Sequence, residues 1–166
     1  MNQVKITASL PINPQSKFKK HKLYRVFLGA TNTVDFVNKQ DAENYASMVT
    51  GHVNDFIRIA NKAYSELFTN YRTIWPMLDK KSNKVYSEYC NVLNHRFEVL
   101  FECEQSSIFT NCYSIYTTLI AFCKALEETL KKKKMYLQLY LCNAIAAMLN
   151  SNSMGIKIIK SHIIEK

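Results

Sequence analysis

Glycine and proline are both nearly absent from this chain. Only three of the 166 residues are glycine, and only three are proline. The dinucleotide-binding fingerprint and the P-loop both require glycines at a fixed short spacing, so the sequence excludes both kinds of phosphate-binding loop. The shortage of the two residues also predicts long regular elements in place of many tight turns.

Cysteine pairs at metal-binding or redox spacing are missing as well. The cysteines are odd in number, contain no CxxC pair and fall in stretches that we interpret as helix: Cys90, Cys103, Cys112, Cys123 and Cys142. Free cysteine in such a setting behaves as a small apolar residue. The pattern predicts no disulfide framework and a reducing compartment such as the cytoplasm, or a virion.

A secretory signal and a membrane-spanning run are also lacking. Lys5 and the prolines at positions 11 and 14 interrupt any apolar region near the N-terminus. The most apolar late stretch, residues 135–149, has 15 residues, which is too few to cross a bilayer of about 30 Å. We therefore expect a soluble protein with no membrane partner.

Acidic residues are scarce at both ends of the chain. Residues 1–34 carry six lysines and arginines and no acid, and residues 131–166 carry seven such basic residues and one acid. The part between them carries nine basic and twelve acidic residues. The net charges of +6, −3 and +6 predict a slightly acidic body between two basic ends that suit acidic partners.

Helical periodicity is what the chain has in abundance, most clearly in residues 38–78. Apolar residues recur there at steps of three and four: Tyr45, Val49, Val53, Phe56, Ala60, Ala63, Leu67, Tyr71, Ile74 and Leu78. The pattern predicts one amphipathic helix over residues 38–75, roughly 55 Å long. We expect Asn38 to cap its first turn and Pro76 to end it.

Three further helices are predicted, at about 82–101, 107–131 and 135–149. We expect Ser82 to cap the second helix and a break at residues 105–107 to separate it from the third, with one continuous helix to about residue 130 as the alternative. The fourth helix is apolar almost all round. A helix of that kind lies in the centre of a bundle or is buried between subunits.

Four stretches favour β-strands: 3–10, 23–28, 33–37 and 156–164. The middle two read as a hairpin. We therefore predict an α+β protein that is predominantly helical, a bundle of about four helices with a small antiparallel or mixed sheet formed by the N-terminal strands and the C-terminal strand. It is expected to be a single domain, 1–166, with basic strands at 1–37, the bundle at 38–150 and the C-terminal strand at 151–166.

Catalytic and metal-binding patterns are weak. Two pairs share helix faces, His52 with Asp55 and His95 with Glu98, but their order is the reverse of the Glu-x-x-His motif of di-iron bundles. No local nucleophile signature is present. We therefore expect no metal, no cofactor and no enzymatic activity.

A basic connector near the N-terminus is the best candidate for binding phosphates or an acidic partner. It combines cations with aromatic residues, and a second lysine run late in the chain could add to the same surface: Lys17, Phe18, Lys19, Lys20, Lys22 and Arg25, with Lys131, Lys132, Lys133 and Lys134. Candidate residues for a protein interface are Trp75, Tyr136 and Tyr140.

Two functions from different classes follow from these observations. The preferred interpretation is a non-enzymatic structural or assembly protein that contacts protein partners in a homo-oligomer or larger complex, such as a component of a phage virion or connector. Its opposed charges favour a head-to-tail contact that closes into a ring or continues as a filament. The alternative is a small basic accessory subunit that binds RNA or single-stranded DNA.

Overall fold

A two-stranded hairpin and five helices make up the part of the chain that the structure describes. The structure is a computed structural model, and it describes residues 3–8, 23–29, 32–151 and 153–161. The elements are β1 (Tyr24–Phe27), β2 (Thr33–Phe36), α1 (Lys39–Ile74), α2 (Lys80–Glu102), α3 (Ile108–Lys132), α4 (Tyr136–Ser151) and α5 (Ser153–Ser161). The prediction of a predominantly helical α+β chain is confirmed.

The long helix α1 agrees closely with its predicted bounds. The side-chain oxygen of Asn38 accepts the backbone N–H of Gln40 at 2.8 Å, and it also accepts the N–H of Asp41. The predicted apolar stripe is buried along its whole length apart from the half-buried Tyr45 and Leu78. After Ile74 the chain tightens into a 3-10 turn, Trp75–Met77, because Pro76 cannot donate the next helical hydrogen bond.

The second helix begins earlier than predicted. Asp79, and not Ser82, caps α2: its Oδ1 accepts the backbone N–H of Ser82 at 2.7 Å. Asp79 satisfies one of the four donors that a helix start leaves without intrahelical partners. The predicted break after α2 is confirmed, because a 3-10 turn at Gln105–Ser107 separates α2 from α3.

Helix α3 lies at the centre of the helices and packs against α1, α2, α4 and α5. The rings of Tyr86 and Tyr89 on α2 stack on Phe122, with centroids 6.0 and 5.4 Å from it. Tyr86 also donates its hydroxyl hydrogen to the carbonyl of Ala125 at 2.8 Å. Helices α1 and α2 meet mainly through aromatic side chains, with the rings of Tyr71 and Tyr86 5.4 Å apart, and α3 packs against both helices.

The predicted hairpin is confirmed. β1 and β2 pair antiparallel, with Tyr24 opposite Phe36 and Phe27 opposite Thr33. The hairpin packs on the first turns of α1, where the rings of Phe36 and Tyr45 lie 5.4 Å apart.

Residues 3–8 are extended, but they do not form the strand that was predicted there. Val4 and Ile6 are buried, as the alternating pattern indicated. Only Ala8 meets the sheet, through a single bridge to Val26. The backbone groups of Val4 and Ile6 bond to side chains of α1 in place of a neighbouring strand. Residues 9 and 10 of the predicted strand lie outside the described residues.

The predicted C-terminal strand is wrong over the described residues, because the chain there forms the helix α5. Ile156 and Ile159, three residues apart, face inward on one side of α5 and pack against α1 and α3. This burial outweighs the strand preference of β-branched residues. Helix α4 continues to Ser151, and α5 begins at Ser153. Residues 162–164 of the predicted strand lie outside the described residues.

Candidate functional site

Helix α4 is half-buried on the surface of the bundle and not at its centre. Cys142, Ile145 and Leu149 point inward against α1 and α3. A polar contact adds to this packing, because Asn70 on α1 donates from Nδ2 to the carbonyl of Gln138 at 3.3 Å. Of the two positions predicted for the fourth helix, the bundle centre is therefore wrong, and burial between subunits stays a prediction.

The opposite side of α4 exposes large apolar side chains to solvent. Tyr136 is 65% exposed, Leu137 67%, Tyr140 69% and Leu141 47%. These four residues are called the apolar α4 face below. No lysine, arginine, aspartate or glutamate occurs anywhere in α4. A surface helix normally carries charged residues on its outer side, so the apolar α4 face is the largest departure from an ordinary solvent-facing surface in the described chain.

A groove of about 440 Å³ runs between α4 and α1, beside the apolar α4 face. Its α1 wall is polar, and its α4 wall is mostly apolar. The residues that line it are Glu66, Thr69, Asn70, Thr73, Gln138, Leu141, Ala144 and Ile145. A partner that covered the apolar α4 face would border this groove, where it would meet both polar and apolar side chains.

A second unusual surface, rich in lysine, lies where α1 ends and α2 begins. Lys133, at the end of α3, donates from Nζ to the carbonyl of Met77 at 3.1 Å. Trp75 is 53% exposed in the adjoining 3-10 turn. The lysines gathered there are called the lysine-rich end: Lys80, Lys81, Lys131, Lys132, Lys133 and Lys134.

Asp79 is the acid placed within the lysine-rich end. The backbone and side chain of Ser82 donate hydrogen bonds to its carboxylate and lower its pKa, and the positive charges of Lys133 and Lys81 lower the pKa further. Asp79 therefore stays ionised as the cap of α2, and it offsets only a small part of the positive charge around it.

The turn from α3 to α4 holds one lysine in an unfavourable backbone conformation. Lys134 has φ 56°, in the left-handed region that a side chain makes costly. The backbone N–H of the next residue, Met135, donates to the carbonyl of Leu130 at 3.0 Å, which closes the end of α3 in the arrangement that usually places glycine at this position.

Of the predicted basic surface, Arg25 lies near the start of α1 and residues 131–134 lie near its end. Arg25 lies on the hairpin and pairs with Asp35 through Nε at 2.9 Å and through Nη2 at 3.1 Å, so its charge is matched. The hairpin packs near the start of α1, while Lys133 contacts Met77 just beyond its end, about 54 Å away along the helix. Lys17, Phe18, Lys19, Lys20 and Lys22 lie outside the described residues.

The two histidine–carboxylate pairs do not meet in one cluster. Asp55 lies 4.0 Å from Arg58 on α1, and His95 and Glu98 are exposed on α2. Within the described ranges, no three side chains of histidine, cysteine, aspartate or glutamate cluster closely enough to hold a metal ion.

The cysteines are free thiols, and four of the five are buried. Burial raises the pKa of the Cys112 thiol, and a hydrogen bond with Cys142 raises the pKa of the Cys123 thiol. Both groups therefore remain protonated at neutral pH, which makes them poor nucleophiles.

The sequence alone did not indicate four residues of these two surfaces: Lys80, Lys81, Leu137 and Leu141. Lys81 comes near Lys133 only through the fold, because both lie close to Asp79. The sequence did carry a signal for the leucines, namely a helix without charge, but periodicity alone does not show which of its apolar residues face solvent.

None of the described helices has the length and apolar character needed to cross a membrane. Comparisons with protein-family models, with curated proteins and with solved structures each gave no match.

Proposed function

We propose that this protein is a non-enzymatic assembly protein that binds a second copy of itself through the apolar α4 face. The observation that carries the proposal is the exposure of Tyr136, Leu137, Tyr140 and Leu141 on a helix without charge. Their exposed parts amount to on the order of 500 Å², near the upper end of the largest apolar patch on ordinary monomers. This is most of the roughly 600–800 Å² that each partner contributes to a stable interface.

The distribution of side-chain size along α4 suits antiparallel pairing with its own copy. The large residues of the apolar α4 face lie in the first half of the helix, and the exposed small residues Ala144 and Ala147 lie in the second half. A twofold axis through the middle of the helix would place the large half of each copy against the small half of the other.

The charges beside α4 favour the same orientation. Lys131, Lys132, Lys133 and Lys134 immediately precede the helix. Parallel pairing would bring the two lysine runs together. Antiparallel pairing separates them by the length of α4, about 24 Å, which exceeds the screening length of about 8 Å at physiological salt. Each run would then lie near the negative C-terminal end of the partner helix.

Sedimentation of full-length protein at micromolar concentration tests the proposal. We expect a dimer. The variants Leu137→Glu and Tyr140→Glu should be monomers, with dimer affinity lowered about 100-fold or more, because each dimer would bury two unpaired charges. Below the concentration at which the wild-type dimer dissociates, their thermal unfolding should match that of the wild type, since both positions are exposed in the monomer.

Val92→Glu on α2 is the matched control. Val92 is 42% exposed and apolar, but it lies on another helix, so this variant should remain dimeric. A wild-type protein that sediments as a monomer throughout the micromolar range would overturn self-association. Equal loss of the dimer in Val92→Glu would remove α4 from the proposal.

A second candidate function, binding of single-stranded RNA or DNA, is favoured by the lysine-rich end. Trp75 is exposed beside Lys80, Lys81 and Lys133, which combines a ring that can stack on bases with cations that neutralise phosphates. Arg25 on the hairpin is already paired with Asp35, which supports the lysine-rich end over Arg25 as the anion-binding surface.

Fluorescence anisotropy with a labelled single-stranded oligonucleotide tests this second function. Affinity should fall steeply as salt rises, Lys81→Ala and Lys133→Ala should reduce the salt slope, and Trp75→Ala should weaken binding about tenfold. Lys62→Ala, an exposed lysine in the middle of α1, should have little effect. Absence of binding at low salt, or equal loss in Lys62→Ala, would contradict the assignment.

A further inference from the structure

Residues 3–8 are held against the bundle by side chains that act as a neighbouring strand would. Asn54 accepts the Val4 N–H at Oδ1 (3.1 Å) and donates from Nδ2 to the Val4 carbonyl (2.9 Å). The Thr50 hydroxyl accepts the Ile6 N–H at 3.0 Å and donates to the Ile6 carbonyl at 3.2 Å. Each side chain therefore satisfies both backbone groups of one residue.

Gln105, in the turn between α2 and α3, continues this arrangement. Its Oε1 accepts the Thr7 N–H at 2.9 Å, and its Nε2 donates to the Thr7 carbonyl at 3.0 Å. The same Nε2 reaches toward the Phe27 carbonyl of β1 at 3.5 Å. Side chains from two separate parts of the fold thus bind both backbone groups of three residues in the segment, Val4, Ile6 and Thr7. The groove formed by Thr50, Asn54 and Gln105 is called the N-terminal groove below.

The spacing of the N-terminal groove matches the repeat of an extended chain. Thr50 and Asn54 are four residues apart on α1, a rise of about 6 Å. Val4 and Ile6 are two residues apart in an extended chain, a rise of about 6.6 Å. A helix that presents hydrogen-bonding side chains at i and i+4 can therefore contact every second residue of an extended segment that runs antiparallel to it.

The N-terminal groove recognises its ligand mainly through the ligand's backbone and through two apolar side chains of the ligand. All the α1 hydrogen bonds go to backbone atoms, which every peptide offers. The side chains of Val4 and Ile6 are only 7% and 2% exposed, while Lys5 points to solvent. The ligand class is therefore an extended peptide with aliphatic residues at alternate positions, recognised as in strand addition to a sheet edge.

We propose that the N-terminal groove also accepts residues 3–8 of a second copy, so that neighbouring subunits can exchange these segments. Every contact described above can form equally well between two chains, which is the condition that makes exchange of an identical element inexpensive. Fourteen residues separate Ala8 from Leu23 in the sequence. A chain of that length can span at most about 50 Å, which exceeds the distance that the bridge between Ala8 and Val26 requires within one chain. The proposal rests on the proposed assembly function, but it uses no residue of the apolar α4 face.

Complementation between two full-length variants tests the exchange. One variant carries Thr50→Val and Asn54→Leu, which keep the size of the groove residues but remove their hydrogen bonds. The other carries Val4→Asp and Ile6→Asp, which spoil the segment and leave the groove intact. Both also carry Leu137→Glu and Tyr140→Glu, so that the apolar α4 face cannot hold the chains together.

Hydrogen exchange measured by mass spectrometry reports the result. The two N-terminal peptides differ in mass, so the intact segment of the first variant is followed separately. Its amides at residues 4–7 should exchange rapidly when that variant is alone, and about tenfold more slowly when the second variant is added in excess. Native mass spectrometry should then detect a complex that contains one chain of each kind.

Absence of protection on mixing, while wild-type protein protects the same amides, would overturn exchange and leave the contact within one chain. Absence of protection in wild-type protein would overturn the N-terminal groove itself. The exposed α1 substitution Ser47→Ala, made in place of the two groove substitutions, should leave the segment protected without mixing. Failure of the assembly function is detected separately, by the sedimentation of wild type, Leu137→Glu and Tyr140→Glu.

Discussion

Helices α1 and α4 lie side by side, but the residues on their solvent-facing sides differ in character. Both bury one apolar stripe against the core. The outer side of α1 carries eight charged residues, all of them exposed: Lys39, Asp41, Glu43, Asp55, Arg58, Lys62, Glu66 and Arg72. The outer side of α4 carries none and exposes tyrosine and leucine in their place.

This difference separates the requirements of folding from those of binding. One buried apolar stripe is enough to hold either helix in the bundle. The charged outer side of α1 is typical of a helix surface that stays exposed to water. The apolar α4 face contributes little to the packing of the monomer and exposes apolar area that favours association. A second copy of α4 would bury that area without requiring any charge on α4 to lose its hydration.

Removal of a buried ring from α1 should produce the largest effect on stability. Phe56 is 1% exposed, and its ring lies 6.4 Å from that of Tyr116 on α3. Phe56→Ala should lower the free energy of unfolding by about 3–5 kcal/mol, because it removes buried apolar area and leaves a cavity. Leu137→Ala on the apolar α4 face should change the monomer by about 0.5 kcal/mol or less. Urea unfolding of the two variants measures both values.

The contrast between α1 and α4 would be contradicted if Phe56→Ala and Leu137→Ala lowered the free energy of unfolding by similar amounts. A loss of several kcal/mol in Leu137→Ala, measured in the monomeric Tyr140→Glu background, would mean that α4 contributes its outer side to the fold of the monomer. In that case exposed apolar area would no longer indicate a binding surface.

Alkaline pH should weaken the contact between α1 and α2 through Tyr64. Its ring stacks on Phe97, and its hydroxyl donates to the carbonyl of Cys90 at 3.3 Å. Burial, with a smaller contribution from the Cys90 thiol, raises the pKa of Tyr64 from 10.0 to about 12. Because the folded state holds this proton more tightly, its contribution to stability is complete below pH 10 and is lost as pH rises toward about 12.

The measurement is the melting temperature as a function of pH between these limits. Tyr64→Phe should show a shallower decline than wild type, because it has no proton to lose at this position. The decline should not vanish, since burial also raises the pKa of Tyr86 and Tyr71, with the same sign. Identical slopes in wild type and Tyr64→Phe would contradict the assignment.

The sequence predicted those parts of the fold that depend on local periodicity and local chemistry. The stripe of α1, its cap at Asn38 and the hairpin all depend on neighbouring residues, and they are confirmed. The C-terminal segment was predicted wrongly because its isoleucines suit either a strand or a helix. Only the surface that α1 and α3 offer them decides for the helix.

The candidate sites were predictable to a smaller extent, because they depend on which elements meet. Tyr136 and Tyr140 were selected from a charge-free helix, and both are exposed on α4. The contact of Thr50 and Asn54 with the N-terminal segment joins residues 44 and 50 positions apart, and no local pattern marks it. Lys81 likewise comes beside Lys133 only because α2 begins where α3 ends.

The smallest expected effect concerns the turn through which α3 passes into α4. Lys134 has φ 56°, a conformation that costs a lysine about 1 kcal/mol or more and costs glycine little. Lys134→Gly should therefore raise the free energy of unfolding by about 0.5 kcal/mol, after allowance for the greater freedom of glycine in the unfolded chain. The urea midpoint should rise without a change in slope.

Lys132→Gly, inside the last turn of α3, should shift the midpoint the other way by a similar amount, because glycine disfavours helix there. If Lys134→Gly is stabilising and also weakens oligonucleotide binding, the strained lysine is retained for its charge. The turn before α4 would then favour binding at the expense of stability, as the outer side of α4 does. A destabilised Lys134→Gly would show that the lysine side chain contributes packing that outweighs its backbone strain.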